Sequence, residues 1–184
     1  ADADLSQVSY QALQLSDVNG STFTNIQAGG TYTGVYAVAC NGNTFTNVDA
    51  SYPGSGNSGL GFYLPSGGTN NIFQDCIIHN RGYGIRFAEA ANANTIQDCN
   101  LSGNLNAIYV LENSTGQGNH ILGNDLSNSG SWALQFMADN TLEISGNTYH
   151  GSTYGIFLGA VDGFNLADAD LSQVSYQALQ LSDV

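Results

Sequence analysis

The chain contains no lysine, and its only basic residues are Arg81 and Arg86. Fifteen acids against these two bases give a net charge of −13. That balance excludes nucleic acid as a partner, because neutralising phosphates takes clustered Lys and Arg. An anionic membrane surface is disfavoured for the same reason, and no apolar run reaches membrane-spanning length, so no membrane insertion is expected. Proline occurs twice, and no stretch sustains a helical period. Cys40, Cys76 and Cys99 cannot all pair within one chain, and neither a CxxC nor a zinc-like His spacing accompanies them. The chain opens without Met and without a charged-then-apolar leader, which reads as a mature or excised piece. Scarce Lys, abundant Asn and Thr and strong acidity predict an extracellular or cell-surface setting. Three sequons, at Asn19, Asn100 and Asn113, matter only in a glycosylating host.

What the chain does have is repetition. With 184 residues and 42% hydrophobic content it can bury one continuous core. A small–apolar–any–apolar pattern runs through Ala12-Leu13-Gln14-Leu15, Gly34-Val35-Tyr36-Ala37, Gly61-Phe62-Tyr63-Leu64 and Gly84-Ile85-Arg86-Phe87. It continues in Ala107-Ile108-Tyr109-Val110, Ala133-Leu134-Gln135-Phe136, Gly155-Ile156-Phe157-Leu158 and Ala178-Leu179-Gln180-Leu181. Successive anchors lie 22, 27, 23, 23, 26, 22 and 23 residues apart, and the two long intervals coincide with polar loops near 51–59 and 113–118. A near-constant period of this length predicts a solenoid of about eight coils of 22–27 residues.

Upstream of most anchors lies a second short apolar segment with period-two alternation, such as Thr22-Phe23-Thr24-Asn25-Ile26 or Asn94-Thr95-Ile96-Gln97-Asp98-Cys99. Each unit therefore supplies two or three short strands, and equivalent strands pair in parallel. The units Asn119–Phe136 and Leu142–Leu158 resemble the repeat of pectate-lyase-like proteins. That resemblance covers essentially the whole chain and implies an all-β, single-stranded, right-handed parallel β-helix over residues 1–184. Its members include lyases, hydrolases, epimerases, adhesins and spikes, so the fold leaves the chemistry open. The inward turn column reads Ala3, Ile26, Val48, Cys76, Cys99, Asn124, Asn147 and Ala169. Asn124 and Asn147 resemble the internal asparagine stacks of the family, and Cys76 over Cys99 reads as a buried thiol column rather than a disulfide.

The terminal segments repeat in another way. Residues 1–18 (ADADLSQVSYQALQLSDV) recur without one change as residues 167–184, although neighbouring coils have diverged far from each other. Tandem repetition or deliberate copying would each produce this. Terminal coils leave strand edges unpaired unless capped, so self-association head-to-tail is predicted.

The variable position of the anchor pattern should face outward, giving a strip of Gln14, Tyr36, Tyr63, Arg86, Tyr109, Gln135, Phe157 and Gln180 beside Tyr83, Trp132 and Tyr154. Tyr36, Tyr63, Arg86, Tyr109, Trp132 and Phe157 are the candidate carbohydrate-binding residues, since aromatic faces stack on sugar rings. No catalytic residue is assigned. The basic motifs of the lyases and the paired aspartates of the hydrolases are not recognisable, and Arg86 with Arg81 is a poor base because Arg stays protonated. Asp75 and Asp98, stacked in identical Gln-Asp-Cys contexts, are weak metal candidates, with calcium the only cofactor considered. His79, His120 and His150 read as exposed loop residues. The preferred reading is a non-catalytic structural rod from a tandem-repeat surface or fibre protein. A carbohydrate-binding module, or a polysaccharide lyase or hydrolase, is the alternative.

Overall fold

The computed structural model describes residues 2–66, 68–89, 91–111 and 116–184. The sequon at Asn113 therefore lies outside the described residues. Three parallel sheets run the length of the solenoid: two of eight strands and one of four. The first contains strands such as Thr22–Gln27, Thr44–Asp49 and Thr95–Gln97. The second contains Thr33–Val38, Leu60–Leu64 and Tyr83–Phe87.

Every strand pairs with its equivalent one coil away, so like residues form columns. In the first sheet Phe23, Phe45, Phe73, Ile96, Ile121, Ile144 and Leu166 share one inward column. Phe45 stacks on Phe23 and Phe73 at centroid distances of 5.0 and 5.3 Å. Phe62 from the second sheet meets both Phe45 and Phe73 edge-on at 5.2 and 5.1 Å. The core is thus one rod of interlocked apolar side chains, and period-two alternation places it there. The small residue preceding each anchor is sterically required at Gly61. A Cβ there would lie 2.4 Å from Ile78 and 2.5 Å from the carbonyl oxygen of Gly84 in the next coil.

Coils turn at a left-handed residue after each strand of the first sheet. Asn25, Asn47, Asp75, Asp98, Gly123, Gly146 and Asp168 all occupy it, with φ between 51 and 66°. Asn, Asp and Gly tolerate that region best. Asp75 and Asp98 are exposed residues whose identity the backbone explains.

Polar ladders tie the coils together inside the solenoid. Asn43, Asn71, Asn94 and Asn119 are fully buried in one column. Each Oδ1 of Asn71, Asn94 and Asn119 accepts from both the backbone N–H and the amide of the asparagine one coil earlier. Each amide of the four also donates to a carbonyl, on Val18, Cys40, Gly68 and Ala91 respectively. Asn124 and Asn147 make a second ladder, received by the backbone of Cys99. The anticipated inward column is present, with Cys76 N–H directed at Cys99 Sγ at 3.4 Å and all three cysteines free.

Candidate functional site

The outward strip lies on the second sheet in the expected register. Gln14, Tyr36, Tyr63, Arg86, Tyr109, Gln135, Phe157 and Gln180 are successive cross-strand partners. Trp132 occupies the neighbouring column, paired with Tyr154. All six candidate residues are half-buried, because their rings pack on one another up the stack. Tyr36 meets Tyr63 edge-on at 5.7 Å, and Trp132 packs on Tyr154 at 4.8 Å and Phe157 at 5.5 Å. The result is a ribbed aromatic surface with ring edges and part-faces outward.

One cation sits in the middle of this surface. The Arg86 guanidinium lies 5.0 Å from the Tyr83 ring, 5.3 Å from Tyr63 and 5.8 Å from Tyr109. Its Nε is shielded and has no hydrogen-bond partner. Three rings around one guanidinium hold it by cation–π attraction and fix where its charge is presented.

Arg81 is a different case from the one expected of it. It is wholly buried, with Nε donating to Ala50 O at 2.9 Å and Nη2 to Ser51 O at 3.1 Å. Its guanidinium lies 5.6 Å from the Tyr52 ring. Burial pushes it down to about 10, and it is still charged at neutral pH. Arg81 anchors the polar loop that begins at Ser51, and it is no part of the strip.

The acids and histidines do not converge on the strip. Asp75 and Asp98 follow strands of the first sheet, whereas Arg86 belongs to the second. The histidines are half-buried rather than exposed, each with a partner one coil on. His79 Nδ1 lies 2.8 Å from Ser102 O, His120 Nδ1 2.7 Å from a Glu143 carboxylate oxygen, and His150 Nε2 3.3 Å from that of Asp170.

A feature that sequence reading missed explains several acids. Asp4, Asp49, Asn100, Asp125 and Asp170 each accept from the backbone N–H of the serine two residues on, at 3.0–3.2 Å. The signal was legible as a recurring Asp/Asn-x-Ser triplet, an Asx turn once per coil. Hydrogen bonds from the Ser172 hydroxyl and backbone hold Asp170 at about 2. The acids of the duplicated segment are therefore turn-formers.

The two copies of that segment fold alike. Strands Gln11–Ser16 and Gln177–Ser182 correspond, and Asp17 and Asp183 both have φ of 55°. The first copy packs on the coil that follows it. Asn25 donates to Asp2 at 3.1 Å, Leu5 N–H donates to Gln27 O at 2.7 Å, and Tyr10 stacks on Tyr32 at 5.0 Å. The second copy lies at the opposite edge of both long sheets, where Tyr176, Leu179 and Leu181 are 77%, 38% and 44% exposed.

Comparison with known proteins fits this geometry. A search of curated proteins finds no match. Among solved structures, the mannuronan C-5 epimerase AlgE6 A-module of Azotobacter vinelandii is similar, with a TM-score of 0.52 at 17% identity. The match covers 88% of this chain and 57% of that module, and likeness at this level is one of fold. QnrB1, a plasmid-mediated fluoroquinolone resistance protein, matches over 97% of this chain and 88% of its own, at 12% identity and a TM-score of only 0.29. The family model described as "right handed beta helix region" matches residues 10–166, well over half of the sequence. The chain belongs to the right-handed β-helix family.

Proposed function

We propose that this chain is a non-catalytic structural rod, a segment of a repetitive extracellular or surface fibre that continues head-to-tail. The observation that carries this reading is the duplicated coil. Eighteen identical residues fold alike at opposite ends of one solenoid, so the surface that one copy offers to its neighbours is also offered by the other. Stacked solenoid coils propagate by nearest-neighbour contacts, and a heterologous contact between them does not close. The absence of convergence between the acids, the histidines and Arg86 favours a structural role over a catalytic one. Electron microscopy and sedimentation of the chain across a concentration series test the proposal. Rods that lengthen with concentration support it, and single short rods at all concentrations overturn it.

A second reading, carbohydrate binding, is favoured by the position of Arg86 within its tyrosines. A cation on a ribbed aromatic face suits an acidic sugar chain, with Tyr36, Tyr63, Tyr109, Trp132 and Phe157 against the rings. The similar fold of a mannuronan epimerase makes mannuronan oligomers the first probe. Saturable binding that is lost in Tyr63→Ala with Tyr109→Ala supports this reading, and no binding to any acidic glycan removes it.

A further inference from the structure

We infer that these rods join by coil exchange: the 167–184 coil of one molecule takes the place of the 1–18 coil on residues 19–41 of the next. This inference rests on the rod reading and specifies its interface. The partner is a second copy of this chain, and the fit is already demonstrated within the molecule, because the seat on residues 19–41 is filled there by the same sequence. Placed on that seat, Asp168 takes up the bond that Asp2 makes to Asn25, and Tyr176 the stack that Tyr10 makes on Tyr32. Leu179 and Leu181 meet Val35 and Ala37, as Leu13 and Leu15 do.

The other way of joining the same ends is to stack coil 1–18 directly on coil 167–184. Repeating the one-coil register would then set Asp2 on Asp168, Asp4 on Asp170 and Asp17 on Asp183. Like charges placed directly opposite are destabilising, and three such stacks fall within one interface of a chain already at −13. Exchange replaces them with neutral partners. Asp170 faces Gln27, as Asp4 does, and Asp183 follows Asp17 in donating its N–H to Val38 O.

The resident coil is also lightly held. Its first strand is only Ala3–Asp4, and Leu5, Leu13 and Val18 are just partly buried against the core. The pairings lost on its release equal those gained by the incoming copy, so the exchanged interface is close to neutral. Release of 18 residues returns chain entropy, and burial of Leu179 and Leu181 adds to the gain. Exchange of an identical element between protomers is a low-cost route to association.

The two modes respond oppositely to damage confined to the first coil. In the full chain, Leu5→Asn with Leu13→Asn weakens the resident coil and leaves residues 19–184 untouched. Exchange predicts that this variant elongates at a concentration at least about tenfold lower than the parent chain, the equivalent of one to two lost buried leucine contacts. The matched pair in the other copy, Leu171→Asn with Leu179→Asn, is expected to abolish elongation. Sedimentation gives the threshold, and circular dichroism checks that each variant keeps its β signal. A first-coil variant that stops elongating while the parent continues overturns exchange in favour of direct stacking and leaves the rod reading standing. A parent chain that never elongates removes both.

Discussion

Asp139 Oδ2 accepts a hydrogen bond from the Asn119 amide at 2.5 Å, at the point where the buried asparagine ladder runs out. The next position in that column is Leu142, which offers no acceptor. Asp139 belongs to the adjacent inward column, where the coils on either side place Gly116 and Val161, and it reaches sideways to fill the gap. It is 1% exposed, and its Oδ1 has no partner. Burial pushes its carboxyl up to about 6, against the opposing hydrogen bonds from Asn119 and nearby backbone N–H groups.

That shift predicts a pH dependence of definite sign. Below roughly pH 4 the acid is protonated in both the folded and unfolded chains. Above that point the unfolded chain ionises first, so folding favours proton binding and stability falls as pH rises through about 6. Asp139→Asn keeps an acceptor for Asn119 without the charge. The variant is expected to be more stable than the parent at pH 7, by on the order of 1–2 kcal/mol, and the difference should vanish near pH 4. Denaturant midpoints of the two proteins across that range are the measurement.

The ladder itself should be costly to break. Asn94→Ala removes the acceptor for both the N–H and the amide of Asn71, together with the donor to Gly68 O. Buried polar groups left unpaired cost about 1–3 kcal/mol each. A loss of about 3 kcal/mol is therefore expected, well above that of an exposed asparagine such as Asn140→Ala. Chemical denaturation of both variants separates the cases.

Arg81 and Arg86 should part company under substitution. Arg81→Ala leaves the carbonyls of Ala50 and Ser51 without their donor and removes the cation under Tyr52. Limited proteolysis is expected to cut within 51–59 several-fold faster, with a stability loss of about 2–3 kcal/mol. Arg86→Met keeps the apolar stem between the tyrosines and is expected to lose about 1 kcal/mol, the value of exposed cation–π contacts. Cleavage rates and unfolding midpoints for the pair check both expectations.

How far the sequence discloses this molecule depends on whether the information is periodic. The strip from Gln14 to Gln180 and the column from Ala3 to Ala169 are legible, because a fixed coil period and period-two alternation assign each residue a column and a face. Asn43, Asn71, Asn94 and Asn119 are just as periodic, yet asparagine before a strand reads first as turn punctuation, and only its burial reveals a ladder. Arg81 and Arg86 lie five residues apart in one coil. What separates them is the fold of residues 51–59 over Arg81, an aperiodic insertion that no column pattern describes. The histidines depend likewise on side-chain partners one coil away, such as Glu143 for His120.

Cys99 offers the sharpest check of the ladder principle, because the expected effect has an unusual sign. It sits directly before Asn124 and Asn147 in their column, and its N–H already donates to Asn124 Oδ1 at 2.9 Å. Its sulfur stands where an asparagine Oδ1 would accept from Cys76 N–H, at 3.4 Å, and where an amide would donate to Phe73 O, at 3.5 Å. Asn124 makes those same bonds to Cys99 N and Ile96 O, both at 2.9 Å. Placing a polar amide in a core ordinarily costs several kcal/mol. Here Cys99→Asn extends the ladder by one rung with every group matched, so stability should be unchanged or higher by about 1 kcal/mol. Phe73→Asn, an inward position with no such partners, is expected to lose at least about 3 kcal/mol. Unfolding midpoints near the parent for Cys99→Asn, beside a large loss for Phe73→Asn, would establish that hydrogen-bond register decides which polar residues this core accepts. A comparable loss in both would place the thiol column among the ordinary apolar contacts of the core.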